Sequence, residues 1–335
     1  MRRLLCFLAS IALPSVALAW DYAGHRAVNL LALESLPASF PKFVQADEAK
    51  ARIGFLAGEP DRWRNTNELT FKHVNGPDHY LDLDDVVNVG FTPETLTEFR
   101  YVFVAQLAEA RATHPERFHR IDPARNKDHT RDQIGFLPWA IVENYAKLKS
   151  TFSYLKTFQE NGGTPEEIAN AEANAIYIMG VMGHYVGDAA QPLHNTHNAN
   201  GWIDENPKGY TKSNKFHAWI DGGFFAQTGG ITAEQLKSDV HPARLISTKS
   251  KSGNTQSVLF AAVIAYLKHN YALVEPLYEL DKSGDLSPEN PKKGRAFLEN
   301  QIVFGAEMLG SLWYTAWHDA PTDDYVKKML DERKR

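Results

Sequence analysis

The chain has 335 residues, with 36 Lys and Arg against 41 Asp and Glu, a formal net charge of −5 at pH 7. That balance lacks the basic surplus of a dedicated duplex-DNA binder, and the lone cysteine, Cys6, excludes an internal disulfide. Stability has to come from an apolar core, with bound metal as the one available staple.

In chain order, residues 1–19 read as a signal peptide. Arg2 and Arg3 open it, "LLCFLASIAL" is the apolar run, and Ala17-Leu18-Ala19 is the small-x-small cleavage site. The run is too short to span a bilayer as a helix. Cleavage would start the mature chain at Trp20, make the protein secreted or periplasmic, and remove Cys6. It would also leave 34 basic residues against 41 acidic ones, a net charge of −7. Apolar spacing then predicts helices over 23–36 and 43–57, and stronger ones over 94–112 and 132–160, with Pro138 starting or kinking the last. Thr164-Pro165-Glu166-Glu167 carries a capping hydroxyl, a proline and two acids, the chemistry of a helix start. The helix it opens should run to about Asp188. Two more apolar helices follow over 255–274 and 294–318, while 196–215 and 276–293 read as loops rich in Gly, Pro, Asn and Lys. No alternation strong enough for a sheet appears, and no run after the leader reaches about 18 uninterrupted apolar residues. The expected fold class is all-α, a single domain of packed helices over 20–335. The polar motifs are scattered from residue 20 to residue 221, and they act together only if the chain folds around one site.

The most informative segment is "GHYVGDAAQPLHNTHN", residues 183–198. His184 and Asp188 stand four positions apart, on one helical face about a turn from each other. Pro192 stiffens the turn after Asp188, and His194 can swing back to the same place. His217 and Asp221 in "FHAWIDGG" repeat the four-residue step. Imidazole nitrogen and carboxylate oxygen are donors that zinc favours. Upstream, Asp61 and Arg64 in "PDRWR" and His79 and Asp82 in "DHYLDLDD" are each unremarkable alone.

Together these residues resemble the superfamily of S1/P1-type nucleases and zinc-dependent phospholipases C. The shared elements are Trp20 at a cleaved terminus, Gly24-His25, Asp61-x-x-Arg64, His79-x-x-Asp82, His184-x-x-x-Asp188, His194 and His217-x-x-x-Asp221. The resemblance covers about two thirds of the chain, with "HYVGDAAQPLH" as its most specific part. It implies helices packed around a trinuclear zinc cluster. One Zn2+ would be held by Asp61, His79, His184 and Asp188. A second would be held by His25 and by the free amine and carbonyl of Trp20, with Asp188 bridging, and the third by His194, His217 and Asp221. The Trp20 indole would pack as an anchor. His197 stands close enough to His194 to touch substrate, and the remaining seven histidines lie outside any ligand spacing.

Such a cluster suits phosphoester hydrolysis. The resemblance makes Asp82 the group that orients or deprotonates water, and Arg64 a phosphate-oxygen donor; an ion pair of Arg64 with an acid such as Glu59 is the bland alternative. The five-residue step from Trp20 to His25, and Asp rather than Glu at 221, fit the nuclease branch, with single-stranded DNA or RNA as substrate. Absent cysteines, and Gly222 where nucleases often carry a base-reading asparagine, pull toward the phospholipase branch and phospholipid. A zinc-binding protein without catalysis is the third reading. Tyr80, Trp202 and Trp219 are candidate stacking faces for bases. No protein partner is signalled.

Overall fold

The computed structural model describes residues 20–247 and 257–334, so the expected signal peptide, residues 1–19, lies outside the described residues. The chain is all-α. In order, the helices are α1 (Tyr22–Ser35), α2 (Asp47–Leu56), α3 (Glu59–Arg64), α4 (Leu69–Asn75), α5 (Leu83–Asn88), α6 (Arg100–Thr113), α7 (Leu137–Asn161) and α8 (Pro165–Ala190). Then come α9 (Phe216–Ala218), α10 (Phe224–Gln227), α11 (Ala233–Leu236), α12 (Val258–Tyr271), α13 (Val274–Lys282), α14 (Lys292–His318) and α15 (Asp324–Arg333). The only β pairing among the described residues is an isolated antiparallel bridge between Leu81 and Gly135.

The centre of the fold is α8. Thr164 caps it by accepting from Glu167 N, and the Glu167 carboxylate accepts from Thr164 N, a reciprocal capping box. Gly162 ends α7 at φ 87°, a left-handed turn, and sends α8 back along it as a hairpin. From Met179 to Ala190 every residue of α8 is buried, because α1, α2, α7 and α14 all pack around that half. A helix enclosed on all sides should be apolar throughout. His184 and Asp188 are not, and their burial demands partners.

Close approach of α1 to α8 depends on glycine. A Cβ on Gly183 would stand 1.7 Å from Asn29 Oδ1, and one on Gly187 would stand 2.9 Å from His25 Nδ1. Asn29 Nδ2 then donates to the carbonyls of Ile53 and Gly180, both at 2.9 Å, tying α1 to α2 and α8. These contacts hold His25 against His184, with ring centroids 3.9 Å apart.

Most expected helices form, with revised ends. The 43–57 prediction breaks at Ala46, where the backbone extends between a 3-10 turn and α2. The 94–112 prediction is corrected at its start: Leu96 and Phe99 are extended, and the helix begins at Arg100. The predicted loop 276–293 is also corrected, since α13 runs to Lys282 and buries Leu277 and Tyr278. By length and composition alone, Val258–Lys282 is apolar enough to cross a membrane, with a mean hydropathy of 1.2 over an 18-residue window. It is two helices that turn at Ala272 and Leu273, and Phe260, Val263, Ile264 and Leu267 sit in the protein core.

Candidate metal centre

All five expected histidine ligands and all three aspartates converge on one region beneath α8, α3 and the 216–227 helical segment. His25, His79, His184, Asp188 and Asp221 are at most 1% exposed, and His194 is 2% exposed. The i, i+4 step works as its spacing implies: His184 Nε2 lies 3.2 Å from Asp188 Oδ2 and His217 Nε2 lies 3.1 Å from Asp221 Oδ2. Asp221 sits in a π-helical turn, Trp219–Gly223, inserted between α9 and α10, a local irregularity common at functional sites.

Donor atoms from distant segments close in on these pairs. His79 Nδ1 lies 2.9 Å from Asp188 Oδ2 and 3.0 Å from His184 Nε2. Asp61 Oδ1 is 3.9 Å from His184 Nε2, and His25 Nε2 is 3.4 Å from Asp188 Oδ1. In the second half of the site, His194 Nε2 faces His217 Nε2 at 3.1 Å. Four donors about 2.05 Å from a tetrahedral zinc stand roughly 3.3 Å from one another. Most of the observed spacings fall close to that edge length.

The tautomers follow from the backbone. His184 Nδ1 donates to the Ala57 carbonyl at 2.7 Å, and His194 Nδ1 donates to the His79 carbonyl at 2.6 Å. In each ring the other nitrogen, Nε2, therefore turns its lone pair into the site, as a ligand with a supporting outer hydrogen bond does. Gln191 does the same for Asp221, donating from Nε2 to Oδ1 at 2.7 Å. Burial lowers the pKa of His79 to about 3, with Arg64 adding to it, and lowers His194 to about 4. Burial and the neighbouring His184 also lower His25. Neutral imidazole is the form that binds metal. Burial opposes ionisation of Asp188, yet His184 and His194 outweigh it and hold the carboxylate well below its ordinary range. For Asp61 the same opposition is overcome by His184, Arg64 and His79. His184 rises despite burial, because Asp188 and Asp61 face it.

Does this donor set fit a cation? Among the described residues, twelve buried side-chain nitrogen and oxygen atoms lack a hydrogen bond, and eight of them belong to these ligand residues and Arg64. They include Asp188 Oδ1, Asp221 Oδ2 and both nitrogens of His25, while Asp61 Oδ1 and Arg64 Nε face each other as an ion pair. Such groups are costly to bury unpaired, and a cation would take up the carboxylate oxygens and imidazole lone pairs among them. The His25–Asp61–His184, His79–His184–Asp188 and His194–His217–Asp221 groups could each hold a metal ion.

Trp20 is fully buried and its indole Nε1 donates to the Gly187 carbonyl at 2.9 Å. The next residue, Asp21, donates its backbone N–H to the Asp221 carbonyl at 2.9 Å. The backbone of Trp20 is thereby seated between α8 and the π-helical turn, with the indole as anchor. A Cβ at Gly222 would meet the Asp21 carboxylate at 2.7 Å, so this site has no room for a base-reading side chain at 222.

Arg64 pairs with Asp61, Nε to Oδ1 at 2.7 Å, while Glu59 takes Arg62 instead. Arg64 and Asp82 both line a cavity of about 470 Å³ together with His194 and His217. Burial raises Asp82 well above an ordinary carboxylate, and the charges of Asp85 and Asp84 add to that rise. Tyr80 lines the same cavity, whereas Trp202 and Trp219 do not. Trp202 packs on Tyr210 and Tyr278, and Trp219 donates to the Leu286 carbonyl. Phe118, Arg117 and Arg131 are cavity residues that sequence reasoning missed, because they lie in short turns without periodicity.

Histidine and aspartate also gather around His197, where Asp85–His119–His197 and Asp84–His197–Asp204 lie close enough for metal binding. Here both ring nitrogens meet carboxylates, Nδ1 at 2.7 Å from Asp85 and Nε2 at 2.8 Å from Asp204. That is the arrangement of an imidazolium donating twice, with no lone pair left for a metal. Compared with models of known protein families and with curated proteins, the chain matches none.

Proposed function

We propose that this protein is a secreted or periplasmic zinc-dependent phosphodiesterase of the S1/P1 nuclease type, acting on single-stranded DNA or RNA. The observation that carries the reading is the donor spacing of about 3 Å among buried imidazole nitrogens and carboxylate oxygens. His79, His184, Asp61 and Asp188 would hold one Zn2+. His25, Asp188 and the Trp20 backbone would hold a second, and His194, His217 and Asp221 a third. When bound, the ions supply Lewis acidity toward a phosphate ester and acidify water.

The residues of the chain have their own parts. Arg64 Nε rests against Asp61, leaving the terminal guanidinium nitrogens to donate to a phosphate oxygen as charge builds there. Asp82, in the same cavity, takes the proton from the attacking water. Burial raises its affinity for a proton above that of an ordinary carboxylate, which favours accepting one. Water oxygen joins phosphorus and the bond to the leaving ester oxygen breaks. Processing after Ala19 would free the Trp20 amine, so the centre would be completed only in the mature chain.

A phospholipase reading calls for exposed apolar side chains at the mouth of this cavity. The exposed Val74 and Tyr101 border a different cavity, beside Arg100 and Tyr177. The test is a side-by-side assay of zinc-loaded mature protein on bis(p-nitrophenyl) phosphate, single-stranded DNA, RNA and phosphatidylcholine. Cleavage of the diester and of single strands supports the proposal. Cleavage of phosphatidylcholine alone replaces it with the phospholipase, and no turnover on any of them leaves a zinc-binding protein.

A further inference from the structure

We infer that Arg117 and Arg131 form a second phosphate subsite beside the metal centre, one that takes a neighbouring phosphate of a single-stranded nucleic-acid backbone. This rests on the phosphodiesterase reading and makes esters with more than one phosphate its preferred substrates. The first support is charge. The chain carries a net −5, yet the cavity shared with His194 and His217 is lined by four arginines against two aspartates, Asp82 and Asp85. A cleft of opposite sign to the whole molecule concentrates anions locally.

The four arginines are not equivalent. Arg64 is engaged by Asp61. Arg111 donates to the Asp132 carbonyl and lies over the Phe118 ring, 4.7 Å from its centroid. Arg117 and Arg131 form no ion pair among the described residues, and both are exposed. Arginines kept for structure have partners; these two face the cavity without one.

The wall that carries Arg131 is well anchored. Asn126 donates to Asp132 Oδ1 and accepts from the Arg131 backbone, both at 3.0 Å. Asp82 N donates to the Ile134 carbonyl at 2.9 Å, tying the segment to the residue proposed to act on water. A guanidinium on this wall can meet a second phosphate of the strand being cut, which a free phosphomonoester or a single lipid headgroup does not carry. Tyr80 and Phe118 add aromatic surface in the same cavity, and bases stack on such surface with little regard to sequence.

The experiment compares thymidine dinucleotide TpT, which has one phosphate, with the trinucleotide TpTpT, which has two, on zinc-loaded protein. The expected KM for TpTpT is lower by about tenfold, the worth of a charge-assisted contact at a partly exposed site. In the Arg117→Ala/Arg131→Ala double variant that advantage shrinks to the statistical factor of the extra bond, and Arg117→Lys/Arg131→Lys restores part of it. The salt dependence of log KM for TpTpT falls in the alanine variant by roughly 0.7 per phosphate no longer neutralised. Fluorescence anisotropy of labelled decathymidylate gives a second readout independent of turnover, with binding weakened in the alanine variant. Equal loss on TpT and TpTpT overturns the subsite while leaving the phosphodiesterase standing. Unchanged decathymidylate binding, or preferential binding to phosphatidylcholine vesicles, also overturns it. Absence of cleavage with arginine-dependent decathymidylate binding would remove the enzyme reading and keep the subsite.

Discussion

Around His197, both ring nitrogens meet carboxylates, whereas His184 and His194 each give one nitrogen to a backbone carbonyl and turn the other toward further donors. The two regions share residue types and comparable distances. They differ in where the lone pairs point. The His197 ring is a cation caged by Asp85, Asp204 and Asp84, and these overcome burial to raise it to about 10. Its charges cancel internally. The His184 region is left with buried carboxylate oxygens and imidazole nitrogens that lack hydrogen bonds and that an added cation would satisfy. Proximity of histidine to aspartate therefore does not define a metal site; the hydrogen-bond partner of the outward nitrogen does.

The largest expected effect breaks the comparison at its stronger end. Asp188→Ala removes a carboxylate that touches His25, His79, His184 and His194. Bound zinc, measured by mass spectrometry of metals, should fall, and turnover of bis(p-nitrophenyl) phosphate should drop by more than about 100-fold, beyond what loss of an outer-shell partner costs. His197→Gln should leave the zinc content as it was. Next, Asp82→Asn should keep the metal and lose about 100-fold or more in turnover, within the range of a general base; an unchanged rate removes Asp82 from the mechanism.

Smaller effects sharpen the contrast through stability. Gly183→Ala forces the Asn29 side chain off its two carbonyls and should cost roughly 1–3 kcal/mol in urea unfolding. The His197 cage makes a signed prediction in pH. With a folded pKa of about 10 against an unfolded value near 6.5, its stabilisation is complete below the unfolded value and is lost as pH rises through the folded one. Between these limits the folded state binds the extra proton, so the unfolding free energy from urea titration should fall with pH, by roughly 1 kcal/mol per pH unit from this group. His197→Gln should flatten that slope. A slope that persists in the variant would assign it to another group.

Much of the centre was legible because the i, i+4 step is a geometric instruction. His184 with Asp188 and His217 with Asp221 needed only their helices to form, even with a π-helical turn at Asp221. The helix-start chemistry at Thr164 was equally local. What stayed hidden depends on contacts distant in sequence. The glycines at 183 and 187 gave no sign that α1 would press on them. Residues 276–282 looked like loop because charge and proline mask the buried side of α13, Leu277 and Tyr278. His197, read as a possible substrate contact, is held by acids from α5 and from Asp204 that no spacing links to it.

The account rests most directly on a count of metal ions in the mature chain. Protein beginning at Trp20, supplied with excess zinc and then freed of loosely held ions, should carry about three per chain, with the Asp188→Ala variant well below that and His197→Gln equal to the unsubstituted protein. One ion or none, or a loss on substituting His197 as great as on substituting Asp188, would contradict it.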